Sequence, residues 1–419
     1  LLQRGTSDWP PCFLDEVFPM SGHSIYRRAI VLGLTIAVGA FAIDMYIPGF
    51  AAIARDLKTH PGTVELSMTS FFVALAIGQV IYGPVSDTFG RKGPTFVGLG
   101  IFVVASVGAA FAPSIGVLIA SRFFQGIGAA ATAVIPMAVI RDEYTGPDAA
   151  RLLSLAMLAL SVSPILAPVL GGLLVQYTSW RLIFVVLIVI CLTVMLMVWK
   201  MLPETLPRSQ RVSGRPLAIL TTYGRLLRNR HFILPVFIAG FGQAVLFSFI
   251  SGSPFVFVTL HRVPPTIYGI IFALHAIALI GISQFNAPMM RHFGTRRLIG
   301  TAAAALAVAG LTLAGLVFAG MTLLWPFVLL TITLFFCLGL ILAPAFLTAM
   351  EPFGATAGAA AALGVGMEFT ISSITTALIG LTADGTARPM VSFIALVSCC
   401  SFGTWVVFVK TTPATPRLP

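Results

Sequence analysis

Apolar runs of about 20 residues recur along almost the whole chain, and they leave few folds open. At a rise of about 1.5 Å per residue, such a run matches the ~30 Å hydrocarbon core of a bilayer. Twelve are readable, at about 29–50, 64–83, 94–112, 115–138, 149–175, 180–200, 232–257, 266–288, 297–319, 322–348, 356–380 and 388–409. Only 9% of residues are charged against 58% apolar, with a mean hydropathy of +0.99. A water-soluble domain carries about a quarter charged residues, so this chain lacks the charge to cover a surface facing water. The expectation is an all-α, polytopic membrane protein of twelve transmembrane helices.

The net charge of +11 would suit nucleic acid, but its placement argues for topology. With the N-terminus inside, 18 of the 25 Lys and Arg fall in inside segments, among them Arg91, Arg141, Arg151, Arg296 and Arg297. The outside set is Arg55, Lys58, Arg181, Arg262 and Arg388, while Lys200 ends a run and Arg122 lies within one. Cytoplasmic loops concentrate Lys and Arg, so both termini are expected in the cytoplasm and the basic excess needs no nucleic-acid partner. The five cysteines show no metal or redox spacing, and no metal or cofactor is expected. Residues 1–19 precede the first methionine, Met20, and are read as an upstream artefact or a tail, with the first run inserting as a signal anchor.

The longest hydrophilic stretch, Pro203 to His231, divides the runs six and six. The expected organisation is a tail over 1–28, a bundle over 29–200, a cytoplasmic linker over 201–231, a second bundle over 232–410 and a tail over 411–419. An internal echo supports two pseudo-symmetric six-helix halves. Pro84 and Phe89-Gly90 recur as Pro288 and Phe293-Gly294 at an offset of 204, each followed by basic residues, Arg91-Lys92 and Arg296-Arg297. Pro48 and Pro254 repeat at an offset of 206. Repeats of this kind are common in secondary transporters.

Away from the ends of the runs, Asp44, Arg122, His275 and Glu368 are ionisable residues inside the spans, where they are costly and therefore functional candidates. Asp44 lies ~22 Å from the inner end of its run, Arg122 ~11 Å from the outer end of the fourth, Glu368 ~18 Å from the inner end of the eleventh, and His275 ~14 Å from the outer end of the eighth. All four share a depth near the midplane. Asp44 and Arg122 are expected to form an ion pair or a hydrogen-bonded network, organised with Gln125. A buried carboxyl whose neighbour opposes its protonation is poised to change state when water or substrate arrives, which proton coupling requires. The rival role for Asp44 is to cap or kink the first helix near Pro48. Glu368 would attract cationic substrate, offer a second protonation site or pair with another polar helix; a lone His275 is more often a packing residue. Tyr46 is expected to line the cavity. In the fifth run Ser163, Ala167 and Gly171 recur every four residues as a smooth face, and Pro164 and Pro168 should bend the helix.

The segments DMYIPGF (44–50), GPVSDTFGRK (83–92), LIASRFFQGIGAA (118–130), SPILAPVLGG (163–172), WRLIF (180–184), LPETLP (202–207) and FISGSPFV (249–256) together resemble major facilitator superfamily antiporters. Within these they resemble the bicyclomycin-resistance (Bcr/CflA) drug exporters, over roughly residues 25–410. The resemblance implies that Gly83, Asp87, Gly90 and Arg91 form the first-loop gate that latches the two halves on the cytoplasmic side. Thr88 stands where the family often has Arg. It implies that Ser163, Pro164, Ala167, Pro168, Gly171 and Gly172 form the antiporter-type helix, with Ala167 replacing the usual glycine. Arg122, Gln125 and Gly126 match the fourth-span R-x-x-Q-G pattern. The function implied is export of drugs or other small molecules against protons, by a monomer in a bacterial inner membrane. The alternative is a carrier of the same fold for a metabolite such as an amino acid, or a nutrient importer. Enzyme activity is not expected, because no nucleophile–base arrangement or metal-ligand motif such as HExxH appears.

Overall fold

A computed structural model describes residues 21–144, 146–207, 211, 216–321, 323–353 and 357–412. The tail before Ser21, linker positions 208–210 and 212–215 and the tail after Thr412 lie outside the described residues. In lipid each backbone N–H and C=O must be satisfied within its own segment, so the apolar runs become helices. Among the described residues twelve helices are long and apolar enough to cross a membrane, and no strand occurs. We number them span 1 (Ile25–Asp56), span 2 (Gly62–Phe89), span 3 (Lys92–Ala110), span 4 (Ile115–Glu143), span 5 (Arg151–Tyr177) and span 6 (Arg181–Met201). The second half holds span 7 (Arg230–Leu260), span 8 (Pro265–Ser283), span 9 (Thr295–Phe318), span 10 (Leu324–Met350), span 11 (Ala359–Leu381) and span 12 (Arg388–Thr411). A short helix, Pro216–Arg228, precedes span 7 on the linker side of the molecule; the opposite face is called the far side below.

The two halves pack in the same pattern. In the first, spans 1·5, 1·4, 1·6, 2·4, 3·4 and 3·6 touch; in the second, 7·11, 7·10, 7·12, 8·10, 9·10 and 9·12 do. Each pair maps onto its counterpart six spans later. The principal contacts between halves, 2·11 and 5·8, exchange under the same operation. The echoed sequence elements fall at matching places. Gly90 and Gly294 stand just before spans 3 and 9 with φ of 91° and 82°, a region that glycine enters without the penalty a Cβ imposes. Pro48 and Pro254 both mark interruptions. The first helix, Ser21–Asp44, gives way to a 3₁₀ turn at Ile47–Gly49 before Phe50–Asp56 continues the span. Span 7 is α-helical to Pro254 and π-helical over Phe255–Leu260.

Span 8 is shorter than the sequence suggests. It stops at Ser283, and Asn286–Phe293 forms a separate helix rather than extending the run to 288. Pro288 accounts for this: in the first turn of a new helix its missing amide has no partner to lose, whereas inside a continuing helix it would break a bond. Span 5 runs as one helix, Gly146–Tyr177, through both Pro164 and Pro168.

Contacts across the interface are strong on the far side. A Cβ on Gly62 would stand 2.6 Å from the Gly380 carbonyl, and one on Gly172 2.6 Å from that of Pro265. The Thr69 hydroxyl donates to that of Thr376 at 3.2 Å, and Thr266 bonds Gln176. The far side is closed in this structure.

Candidate functional site

Arg122 is fully buried in span 4, and its described partners come from spans 1 and 2 and from its own helix. Nη1 donates to the Ala42 carbonyl of span 1 at 3.2 Å and to Gln125, and Nη2 lies 3.3 Å from the Met68 sulfur of span 2. The guanidinium stacks 4.5 Å from the Tyr46 ring centroid and 4.2 Å from that of Phe71. Gln125 continues the network to the Ser106 hydroxyl of span 3 at 2.7 Å, and Tyr46 shares a 2.6 Å hydrogen bond with Ser67. Cation–π faces and neutral acceptors thus hold this charge, and Nε has no acceptor.

Asp44 sits at the last helical residue before the break in span 1 and is 6% exposed. Its described polar contact is the Ser163 hydroxyl of span 5, 3.5 Å from Oδ2. The expected ion pair with Arg122 is therefore absent among the described residues; the hydrogen-bonded network exists, but it joins Arg122 to Gln125 and Tyr46. The depth match is sound, since Arg122 contacts Ala42 and Tyr46 on either side of Asp44. Direction is what differs. Residues two apart on a helix point about 200° apart, so Asp44 turns from Arg122 towards span 5.

Span 5 presents two faces. Ser163 and Gly171 meet span 1, where a Cβ on Gly171 would stand 2.2 Å from the Met45 carbonyl. Pro168 and Gly172 meet span 8 of the other half, with the Pro168 carbonyl 2.6 Å from where a Gly269 Cβ would be. Ala167 is fully buried between them. The small-residue pattern lets one helix fit between the interrupted span 1 and span 8 at close range.

At the linker end, Arg91 is 3% exposed and forks between two carboxylates. Nη1 meets Asp87 at 2.6 Å and Ser86 at 2.7 Å; Nε and Nη2 meet Asp142 of span 4 at 2.7 and 3.3 Å. Glu204, in the LPETLP segment after span 6, accepts from the amides of Arg91 (2.7 Å), Lys92 (3.1 Å) and Leu206 (3.2 Å). A carboxylate over the first amides of span 3 suits the positive end of that helix. Burial alone would raise the Glu204 carboxyl; the three amides and the nearby Arg211 outweigh it and leave it below the usual range. The described bonds of Asp87 and Arg91 stay within the first half. The implied latch across the halves is not made in this state; the cluster instead ties spans 2, 3, 4 and 6 together. Gly83 has no atom within 4 Å of a Cβ position, so nothing in the structure explains a glycine there.

Glu368 is 8% exposed on span 11, and its Oε1 is buried without a partner. It backs onto Gly240 of span 7, whose Cβ would lie 3.6 Å from the Glu368 Cα. His275 reads as structural: Nδ1 is 2.7 Å from the Ile271 carbonyl, Nε2 is 2.8 Å from the Thr331 hydroxyl, and the ring stacks on Phe249 at 4.6 Å. Both ring nitrogens are thus engaged within the second half, as expected of a packing residue. Between spans 2 and 11 lies a groove of about 490 Å³ with mainly apolar walls, including Val73, Ile77, Met367 and Ile374. Phe72, Phe247 and Phe369 cluster beside it, with Phe72 and Phe247 centroids 4.2 Å apart.

Sequence reasoning missed Glu65, which is 4% exposed at the interface of the halves. A run that starts at 64 puts Glu65 at its wet end, where a carboxylate draws no notice. The signal was Pro61 at the first helical position after His60, whose Nδ1 caps the Gly62 amide at 3.2 Å; the helix starts there and carries Glu65 a turn inward. Among the described residues no group of His, Cys, Asp and Glu is placed to hold a metal ion.

Comparison with known proteins bears on the fold and the family. The solved structure of the Escherichia coli xylose transporter XylE, in a partially occluded inward-open conformation, superposes with a TM-score of 0.73 at 13% identity, covering 94% of this chain and 98% of that one. The nucleoside transporter NupG gives 0.72 at 12% identity, over 93% and 100%. An uncharacterized MFS-type transporter of Bacillus subtilis, YdgK, is 34% identical, over 88% of this chain and 92% of its own length. A bicyclomycin resistance protein homolog of Haemophilus influenzae is 28% identical over 88% and 92%, and multidrug resistance protein D of Escherichia coli 30% identical over 81% and 84%. Residues 32–374 match the Major Facilitator Superfamily. The chain is an integral membrane protein and a secondary transporter, and it belongs to that superfamily.

Proposed function

We propose that the protein exports drugs or other small molecules in exchange for protons, as a member of the bicyclomycin-resistance type. The observation that carries this reading is Asp44: a buried carboxyl at the break of span 1, facing a lone span-5 hydroxyl at 3.5 Å. Charge there is poorly compensated, so taking up a proton and releasing it alters how spans 1 and 5 pack. Arg122, with Gln125 and Tyr46, holds the opposite side of span 1 rigid and fixes the level of the break. Glu368, with an unpartnered oxygen, is the group in the second half that would meet a cationic substrate or a second proton. The inter-half groove has a drug-sized volume and adaptable apolar walls, which favour broad recognition.

Relatives named for resistance to bicyclomycin and to multiple drugs support the substrate class. The Lys and Arg distribution supports cytoplasmic termini with the far side outside, and the bacterial relatives support an inner-membrane location. In this reading the first-loop cluster gates the cytoplasmic side and span 5 is the antiporter-type helix. The test is efflux from cells expressing wild-type or Asp44→Asn protein, across antibiotics, cationic dyes and amino acids. Asp44→Asn should abolish export against a gradient while leaving expression intact. Normal uphill export by this variant would refute the role of Asp44, and accumulation changes confined to amino acids would move the protein to metabolite transport.

A further inference from the structure

A cavity of about 20 Å³, room for a single water, lies between the halves at the far side. Glu65 of span 2 and His60, the residue that caps its helix, form one wall; Gly252 and Val256 of span 7, Ile379 of span 11 and Met390 of span 12 form the others. Glu65 is thus covered by three helices of the opposite half. Its described side-chain contact is the Ser251 hydroxyl of span 7, at 3.5 Å. A hydroxyl bound to an ionised carboxylate closes to about 2.5–2.7 Å, so this contact does little to compensate a charge.

Among the described residues no salt bridge reaches Glu65. His60, the other titratable residue of the cavity wall, uses Nδ1 to accept from the Gly62 amide. On the surrounding elements, Asp384 bonds Thr386 within its own loop and Arg388 lies over the Phe318 ring. Asp56 bonds Trp180 and Arg181 in the first half, and His261 and Arg262 lie beyond the end of span 7. Above and below Glu65 the seam is closed by Gly62 against Gly380 and by Thr69 against Thr376. The seam therefore cannot shut without burying this carboxyl.

We infer that Glu65 is the proton sensor of the far-side gate: the halves close over it only when a proton from the far-side water has neutralised it. An ionised Glu65 must keep water, and so holds the gate ajar; protonation adds an O–H that Ser251, or a water held in the cavity, can accept, and the seam closes. The inference rests on the reading of the protein as a proton-exchanging carrier, taken to open to each side in turn, but not on Asp44. It gives the carrier a second proton-dependent step, in which outside acidity drives its return to the closed-outside state.

The test places spin labels at Phe111→Cys and Leu323→Cys, on exposed far-side turns of opposite halves, in full-length protein whose own cysteines are replaced. Distances are read in lipid nanodiscs from pH 5 to pH 9 in an Asp44→Asn background, which removes any contribution from that residue. The closed-to-open ratio should fall with rising pH, by up to tenfold per unit for one proton. Adding Glu65→Gln should leave the gate closed and flat across the range, while Glu65→Asp should keep a pH slope. An unchanged slope in Glu65→Gln, a flat Asp44→Asn parent, or loss of the slope in Glu65→Asp as well would each overturn the proposal. Failure of the Asp44 reading shows separately, as normal uphill efflux by Asp44→Asn.

Discussion

The first-loop cluster makes a quantitative claim about which carboxylate holds Arg91. Asp87 is the residue that the loop motif singles out, yet its side chain is 46% exposed and contributes one bond at 2.6 Å. Exposed pairs of this kind are worth about 0–1 kcal/mol. Asp142 is 14% exposed and takes the guanidinium through both Nε and Nη2. Two charge-assisted bonds to a buried cation, at about 1.5–3 kcal/mol each before losses, leave about 2–3 kcal/mol when Asn replaces Asp. Asp142 lies in the last turn of span 4, where a negative charge is unfavourable, and relief of that returns roughly 0.5 kcal/mol. Asp142→Asn should therefore destabilise the first half by about 2 kcal/mol and Asp87→Asn by less than about 1 kcal/mol. Buried Cys191 and Cys337 report unfolding in each half through their reaction with a thiol dye as detergent-solubilised protein is heated. Cys191 should become reactive at a lower temperature in Asp142→Asn than in Asp87→Asn. Equal effects, or a larger one for Asp87→Asn, would refute the assignment.

Gly90→Ala should cost about 1–3 kcal/mol, because φ is 91° and the added carbon would meet Glu204 and Arg211 at 2.6 and 2.5 Å. Gly83→Ala, with empty space around it, should change the same unfolding midpoint by no more than about 0.5 kcal/mol. Gly171→Val drives a side chain into the Met45 carbonyl and should cost about 1–3 kcal/mol or more, with transport lost in the efflux assay. His275→Gln should lower stability by about 1–3 kcal/mol through its two broken contacts while leaving the pH profile of efflux unmoved. Glu204 has a depressed folded carboxyl, so its stabilisation is complete above the ordinary glutamate range and fades as pH falls through the lower folded value. Acid unfolding followed by Cys191 labelling should show that limb in wild type and lose it in Glu204→Gln.

The apolar runs and the uneven placement of Lys and Arg settled the membrane class and the span count, because bilayer thickness and backbone desolvation act on local composition. The repeat was readable for a similar reason. Glycine at positive φ and proline at a helix break are needed at single positions, and Gly90, Gly294, Pro48 and Pro254 occupy them in both halves. Depth was also legible, since rise per residue is fixed: Arg122 does meet the chain on either side of Asp44.

Azimuth and packing partner belonged to the tertiary structure. A shared level says nothing about which way two side chains point, so the chain alone suggests an ion pair or a shared network for Asp44 and Arg122, where the fold gives Asp44 to Ser163. Asp142 and Glu204 became partners of Arg91 and its amides only because spans 4 and 6 end beside the loop. Glu65 stood at a helix end in sequence and was buried only when the second half closed over it. Local chemistry decided what each segment was; the rotation of each helix about its axis, set by contacts between residues far apart in the chain, decided which charges were left without company.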